Sequence, residues 1–361
     1  MMQSQRELSS FPLSSAHKVK LSSAGFLTVD DLKDVRPTEL AKDLRVSASE
    51  ALDILTTVQG FSSKVGVSQT RTALDILRQE DSSRGIITFS EQLDEMLGGG
   101  VPLCKVTELC GAPGVGKTQV CLQLSVDVQI PEAFGGLGGE AVYVDTEGSF
   151  IVERLVDIAS ATVEHCQQIA AISDNAEQME ALQTFSLESV LSRVHYYRCH
   201  DYVQLLATVH LLPDFIKEHP KVKLVVVDSI AFHFRHDFED LALRTRLLAG
   251  LAQSFITMAT ANRLAVVLTN QMTTKISKEP HGRSHLVPAL GESWGHASTI
   301  RVILYWENKQ RYALLYKSPS RQETVVQYQV TVGGIRDVCE DSERVRDSSP
   351  EEHPPAKRPR H

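Results

Sequence analysis

Lys117 and Thr118 close the octapeptide GAPGVGKT, made up of Gly111, Ala112, Pro113, Gly114, Val115, Gly116, Lys117 and Thr118. The apolar run VTELC (106–110) enters it as a strand, and QVCLQLSVDVQI (119–130) leaves it as a helix. That order aims successive backbone N–H groups and a helix N-terminus at one point, which suits a chain of phosphates. Gly111, Gly114 and Gly116 are expected to permit a tight left-handed path. Lys117 supplies a mobile cation for the outer phosphates, and the Thr118 hydroxyl a ligand for Mg²⁺. A glycine turn that precedes Lys-Thr by chance is the alternative, and the strand before and helix after count against it. The chain is expected to bind a nucleoside triphosphate with Mg²⁺.

Hydrolysis needs a second carboxylate for Mg²⁺ and a group that orients or deprotonates water. Asp228 ends the apolar run LVVVD, at the sheet edge beside the phosphate loop, where an acid holds Mg²⁺. DTEGSF (145–150) ends another strand at that edge, and its Glu147 could act on water near the terminal phosphate. Capping of a following helix is the plainer role for Glu147. Gln271 of LTNQ leaves a third strand there, and its amide could report nucleotide state to the loop that follows. Two segments suit single-stranded nucleic acid through backbone charge and base stacking. One is 229–240, with Arg235 between Phe232 and Phe234. The other is 272–295, a long loop without structure of its own, with Lys275, Lys278 and Arg283. Solvated loops whose aromatics pack on the core are equally open.

These groups need a sheet to hold them at one edge. Apolar runs at 106–110, 141–145, 194–198, 223–228 and 264–269 alternate with helical stretches such as 205–216 and 241–259. Such strands read as a parallel sheet covered on both faces. RVILYWENKQRYALLYK (301–317) and ETVVQYQV (323–330) read as antiparallel strands joined by short turns. The fold class is α/β, a phosphate-loop core over residues 85–338 that is mostly parallel and antiparallel at its end.

Residues 1–60 read as a small all-helical module of helix-hairpin-helix type. Its signals are an apolar pattern through Val19, Leu21, Ala24 and Phe26, N-caps at Thr28 and Thr38, and a Ser47–Glu50 capping box. Packing or docking is its default role, with DNA contact the lesser reading. Residues 61–84 join it to the core through the Gly/Ser-bearing stretch 60–69 and a helix at 73–80. From 339 the chain turns charged and proline-rich and is expected to be disordered. Its end, with Lys357, Arg358, Pro359 and Arg360, resembles a short nuclear-localisation signal.

A length of 361 residues fits one large α/β domain plus a small one. Hydrophobic content of 42% and charged content of 23% are those of an ordinary soluble globular protein, and no run is long enough to span a bilayer. No membrane role is expected. The six cysteines show neither a CxxC pair nor metal-ligand spacing, so buried thiols in a reducing compartment are expected. The net charge of −8 opposes global attraction to nucleic acid, so any such binding must come from a local basic surface.

Taken together and in this order, GAPGVGKTQ, YVDTEGSF, VERL, VVVDS, LTNQ and HAST resemble the RecA-type strand-exchange recombinases in their eukaryotic branch. The resemblance covers nearly the whole chain to about residue 337. FRHDFEDL, LTNQMTTK, LVPALGESWGHAS and YKSPS look most like an auxiliary paralogue within that family, one that serves homologous recombination. The resemblance implies a RecA-like core in which Gly111 to Thr118 and Gln119 cradle ATP, Asp228 and Thr118 hold Mg²⁺, and Glu147 is the catalytic carboxylate with Lys117 and Gln271 beside it. It implies that Arg154 stacks on adenine and that His296 reaches a neighbouring protomer's γ-phosphate. The DNA-facing loops would be 229–240 and 272–295. ATP would then lie between subunits, so that assembly and nucleotide state are coupled.

Three departures qualify it. The family's linker tether is Phe-x-x-Ala, whereas Phe61 is followed by Ser62, Ser63 and Lys64. Phe61 remains the candidate anchor, and loss of the alanine favours a specific partner over self-polymerisation. The cap over ATP carries Lys317 before Ser318 and Pro319 where an acid is usual, so the Lys317 ammonium is expected to replace a bound monovalent cation. LRVS (44–47) stands where the family's hairpin often has a glycine turn, which weakens a DNA grip by this module.

The leading expectation is a DNA-dependent ATPase subunit that assembles with sister paralogues and assists the main recombinase on single-stranded or branched DNA. It would serve double-strand break repair in the nucleus, with room for a cytoplasmic pool. A nucleotide-clamped scaffold with little turnover is the alternative. The intact Lys117, Thr118, Glu147, Asp228 and Gln271 argue for hydrolysis, and the altered linker and cap for assembly. A hexameric motor of the same fold is a third reading, against which the helical N-terminal module and the LTNQ-to-HAST arrangement count.

Overall fold

A computed structural model describes residues 7–11, 13–32, 35–58, 72–74, 84–236, 238, 240–275, 285–291 and 293–338. Phe61, Lys278, Arg283, Lys357, Arg358, Pro359 and Arg360 lie outside the described residues, as do most of the 61–84 segment and the tail from 339. Of Lys275 only its place in a strand is described. The chain divides into two compact units, Met1–Arg78 and Gln79–His361.

The first unit holds α1 (Ser15–Ser23), α2 (Pro37–Leu44) and α3 (Ala48–Val58), with 3-10 turns at Leu8–Ser10 and Asp30–Leu32. Its core is Leu21, Leu32, Leu40, Leu44, Ile54 and their neighbours. The α3 capping box is present: Glu50 N–H donates to Ser47 Oγ (3.2 Å), and Ser47 N–H donates to Glu50 Oε2 (2.9 Å). One sequence expectation fails here. Thr38 is no N-cap, because Pro37 with its fixed φ opens α2 two residues earlier, after the N-cap Arg36. Ahead of the Asp30–Leu32 turn the Thr28 N–H donates to Asp31 (2.8 Å). Val19 is 65% exposed, so the apolar pattern follows Leu21 inward and leaves Val19 on the outer face of α1. At the LRVS turn Arg45 takes φ +50°, the left-handed conformation that glycine adopts more readily.

The second unit is built on a nine-stranded sheet. Its strands are β1 (Val106–Gly111), β2 (Glu140–Asp145), β3 (Val194–Arg198), β4 (Val222–Asp228), β5 (Ala265–Asn270), β8 (Ile300–Glu307), β9 (Gln310–Lys317), β10 (Val325–Thr331) and β11 (Gly334–Arg336). The order is β11-β10-β9-β8-β1-β5-β4-β2-β3. From β8 to β3 the pairing is parallel, and from β8 to β11 antiparallel, as the sequence predicts. Alternate residues face opposite layers. Tyr143, Val226 and Val267 pack on one face against α5 (Lys117–Asp127) and α6 (Val152–Ser173). Val142, Val225 and Val266 pack on the other against α9 (Tyr202–Glu218) and α11 (Leu241–Asn262). The same unit also holds α4 (Glu91–Leu97), α7 (Ala176–Leu182), α8 (Leu187–Ser192) and the short α10 (Phe232–His236). Because both faces are covered, the strands read as continuous apolar runs, and their C-terminal ends align β1, β2, β4 and β5 at one edge.

The 272–295 segment differs from its expectation as a structureless loop. Its ends pair as a separate antiparallel ribbon, β6 (Met272–Lys275) with β7 (His285–Pro288), in the register Met272 to Pro288 and Lys275 to His285. Met272, Thr273 and Thr274 opposite Pro288, Val287 and Leu286 are mostly β-compatible residues, a signal that glycine and proline content masks.

Candidate nucleotide site

The phosphate loop leaves β1 and turns through Gly114 (φ +80°) and Gly116 (φ +112°), both left-handed as expected. Gly111 is needed for a different reason from the one the sequence suggests. It is not left-handed, but a Cβ there would sit 2.6 Å from the Leu304 carbonyl oxygen and 2.7 Å from Val115 Cγ2. The buried Val115 accepts from the Tyr328 hydroxyl at 2.7 Å, which pins the loop to β10. Lys117 opens α5, and its Nζ donates to the carbonyls of Gly111 (2.8 Å) and Ala112 (3.1 Å). Burial pulls the Lys117 pKa below the ordinary lysine value, with the carboxylates of Asp228 and Glu147 acting in the opposite sense.

Asp228, at the end of β4, is 3% exposed and surrounded by hydroxyls. Its Oδ2 accepts from Thr118 (2.7 Å), Tyr143 (2.8 Å) and Ser149 (3.4 Å), and its Oδ1 from Thr269 (2.5 Å). Burial, then the Asp228 charge, push the Tyr143 phenol well up, so it stays protonated and donates. Thr118 and Asp228 thus share a contact, as their expected common ion requires. Hydroxyl and carboxylate oxygens are the hard donors that Mg²⁺ prefers.

Glu147 is held over this edge by the turn after β2. Asp145, fully buried, accepts from the N–H groups of Glu147 (3.0 Å), Gly148 (2.7 Å), Ser149 (3.3 Å) and Phe150 (3.3 Å). Thr146 Oγ1 donates to the Ser229 carbonyl (2.7 Å) and accepts from the Ser229 N–H (2.8 Å), locking the turn to the end of β4. Among the described residues the Glu147 carboxylate caps no helix, the N-cap of α6 being Ile151. Its Oε1 accepts from Ser229 Oγ (2.5 Å) and Gln271 Nε2 (2.7 Å). Gln271 Oε1 in turn accepts from the Arg235 guanidinium on α10. A hydrogen-bonded chain therefore runs from Glu147 through Gln271 to Arg235.

Other expected residues fall around this centre. Arg154 on α6 donates to Gln119 (2.6 Å) and to the carbonyls of Thr331 (2.7 Å) and Val332, so its guanidinium is fixed beside the start of α5. Lys317 ends β9, and its Nζ donates to the carbonyls of Gly295 (3.0 Å) and Ser298 (2.5 Å), with Pro319 two residues on. Burial and then the Arg301 charge push the Lys317 pKa down, against the pull of Glu108. His296 is exposed at the end of the 3-10 turn Ser293–His296. Among the described residues neither Lys317 nor His296 hydrogen-bonds or ion-pairs with the phosphate loop. In the 229–240 segment Arg235 and Phe232 are exposed, but Phe234 is buried and stacks on Phe238 with centroids 5.3 Å apart. Phe234 is therefore core, and Phe232 alone of the pair faces out. Cys110 and Cys121 are buried, and burial pushes both thiols well up, the inert state expected of them.

The sequence reading passed over a buried hub. Glu108, in the middle of β1 and fully buried, accepts from Asn270 Nδ2 (2.7 Å), Trp294 Nε1 (2.9 Å), Ser298 Oγ (3.0 Å) and Arg301 Nε (2.8 Å). Arg301 NH2 lies 2.6 Å from the same carboxylate, in ion-pair contact but without hydrogen-bond alignment. This hub joins the phosphate-loop strand to the segment that holds Lys317. Ser229, Asp145, Tyr143 and Thr269 were also missed as individual positioning groups.

Residues 82–338 match the Rad51 family model. A protein of Cricetulus griseus described as "DNA repair protein RAD51 homolog 3" is 55% identical over 343 residues, covering 93% of this chain and 93% of the relative. One of Dictyostelium discoideum with the same description is 45% identical over 268 residues, 74% of this chain and 69% of that one. "DNA repair and recombination protein RadA" of Metallosphaera sedula is 33% identical over 335 residues, 89% of this chain and 92% of the relative. The resemblance to a recombinase paralogue is thereby borne out, and the phosphate loop, the parallel sheet and the ordered strand-end motifs sit within the matched region. The chain belongs to the Rad51 family.

Proposed function

We propose that the protein is an ATP-binding, DNA-dependent ATPase subunit of a recombinase-paralogue complex that acts in homologous recombination and double-strand break repair. The observation that carries this reading is the chain Glu147–Gln271–Arg235. Glu147 is the group that would orient and deprotonate water, Gln271 its link to nucleotide state, and Arg235 the exposed cation of the segment assigned to DNA. A DNA phosphate that draws the Arg235 guanidinium away frees Gln271 and shifts the Glu147 carboxylate, so DNA contact and hydrolysis are coupled through two side-chain rotations. ATP would lie along residues 111–119 with Arg154 beside the base, and Lys117 would bind the outer phosphates. Mg²⁺ would be held by Thr118 and Asp228 and would neutralise charge on the phosphates when bound. Basic side chains at 275, 278 and 283 would extend the DNA surface. His296, Lys317 and Pro319 would form a cap that a neighbouring subunit completes, with Phe61 as linker anchor. Sister paralogues and the main recombinase are the proposed partners, single-stranded and branched DNA the substrates. The basic tail at 357–360 is the proposed nuclear signal. The DNA-repair descriptions of the related proteins support the repair role.

ATP turnover by the full-length protein with its co-purifying partners, with and without single-stranded DNA, tests this. Stimulation by DNA is expected, together with a loss of about 100-fold or more in Glu147→Gln at unchanged ATP affinity. Tight ATP binding without stimulated turnover would make the nucleotide a clamp and the protein a scaffold.

The two carbonyls that hold Lys317 Nζ are ligands that an alkali cation would use, which supports the ammonium as its replacement. ATP affinity should be the same in KCl and NaCl, and Lys317→Asp should make it cation-dependent. A response of the unmodified protein to K⁺ over Na⁺ would refute this role.

A further inference from the structure

We propose that Glu140, His195 and His219 form a binding site for a zinc-class divalent ion, far from the nucleotide edge. Glu140 is the first residue of β2, His195 the second of β3, and His219 the C-cap that follows Glu218 of α9. One ligand atom from each lies within 4.8 Å of the other two. Glu140 Oε2 is 2.9 Å from His195 Nε2 and 3.8 Å from His219 Nδ1. A tetrahedral ion with bonds of about 2.0–2.1 Å sets its ligand atoms roughly 3.3–3.4 Å apart. These two separations straddle that value, and the ligand nitrogens of the two imidazoles lie within 4.8 Å of each other, so side-chain rotations that draw the rings together would enclose an ion.

The chemistry selects the ion. Two imidazole nitrogens and one carboxylate oxygen are the borderline donors of zinc and its neighbours, with a fourth position left for water, whereas Mg²⁺ and Ca²⁺ take oxygen donors. A plain ion pair needs one imidazole only. Here a second approaches the same carboxylate oxygen, with the ring centroids 4.8 Å apart, so three donors from three elements converge on one point.

The ligands are held in place. Phe215 stacks on His219 (4.2 Å, 23°) and meets His195 edge-on (5.0 Å, 74°), so one ring restrains both imidazoles. His219 N–H donates to the Phe215 carbonyl (2.9 Å), and its own carbonyl accepts from Val222 N–H (3.0 Å). Glu140 N–H donates to the Lys221 carbonyl (2.8 Å). The site also faces the C-terminal end of α9, where the helix dipole favours a cation. Side-chain exposures of 16%, 23% and 39% leave an entry path. Glu140 and Asp145 are five positions apart along β2, about 16 Å of strand at roughly 3.3 Å per residue, so the ion does not compete with Mg²⁺ at the nucleotide edge. Its effect is to staple β3, at the end of the strand order, to β2 and to the end of α9.

The test is titration of full-length, chelator-treated protein with ZnCl₂ against a chromophoric chelator, and with CoCl₂ read by its visible spectrum. One equivalent of zinc at low-micromolar affinity or tighter is expected, with the intense four-coordinate cobalt bands and a zinc-dependent rise in melting temperature. His195→Gln and His219→Gln should each weaken zinc binding by about 10–100-fold and leave binding of a fluorescent ATP analogue unchanged. The wild-type cobalt spectrum keeps the proposal testable where a variant folds poorly. Absence of saturable zinc binding, equal affinity in His219→Gln, or a six-coordinate cobalt spectrum would each overturn it.

Discussion

Replacing Lys117 by alanine is expected to weaken ATP binding by about 100-fold or more and to leave the fold intact. The Lys117 ammonium spans two carbonyls of its own loop, Gly111 and Ala112. Bound phosphates would exchange those neutral acceptors for charged ones, and hydrogen bonds between charged partners contribute roughly 1.5–3 kcal/mol each. Two such bonds come to about 3–6 kcal/mol, or about 100-fold to 10,000-fold in affinity. Burial already holds the Lys117 pKa down against the opposing charges of Asp228 and Glu147, and a phosphate anion adds to the side that keeps the ammonium charged. Alanine at the first position of α5 suits a helix, so the loop and helix should persist. Lys117→Arg should not restore affinity, because a planar guanidinium does not reproduce a compact ammonium inside the loop. A fluorescent-nucleotide titration alongside thermal unfolding measures both effects. Unchanged affinity in a folded Lys117→Ala protein would take the nucleotide off this loop.

The parts of this site that lie in one stretch of chain were legible in the sequence. The octapeptide carries its own loop geometry in Gly114 and Gly116, and Asp228 and Glu147 announce themselves as acids at the ends of apolar strands. The parallel sheet was legible because burial on both faces makes β1, β2, β4 and β5 continuous apolar runs. What stayed hidden depends on partners distant in the chain. Arg235 meets Gln271 across 36 positions, and Glu140 meets His195 across 55 and His219 at the end of another helix. The β6–β7 ribbon escaped because only four residues of each strand pair. Phe234 shows the limit of composition as a guide. Its aromatic ring beside an arginine suits base stacking, yet its place in α10 turns it onto the core next to Phe238.

Glu108→Gln is expected to lower the stability of the core by about 3–5 kcal/mol, the range for leaving one member of a buried ion pair without its partner. Glu108 sits on β1 directly opposite Arg301 on β8, and both side chains are almost fully excluded from water. The glutamine keeps shape and one acceptor oxygen. It strips Arg301 of its counter-charge and presents an amide NH₂ to groups that are themselves donors: Arg301 Nε, Ser298 Oγ, Trp294 Nε1 and Asn270 Nδ2. At roughly 2–4 °C per kcal/mol for a domain of this size, the melting temperature should fall by about 10 °C. Arg301→Met should cost a similar amount, and Glu108→Gln combined with it should cost less than the sum, because the second change removes a charge already orphaned by the first. Additive losses, or a shift of under about 2 °C in Glu108→Gln, would show that the pair contributes little. The same hub anchors Trp294 and Ser298, on either side of His296 and next to the carbonyls that hold Lys317. Loss of the Glu108 charge should therefore loosen the cap while the phosphate loop keeps its glycine-determined path, so that ATP affinity falls further than the thermal data alone account for.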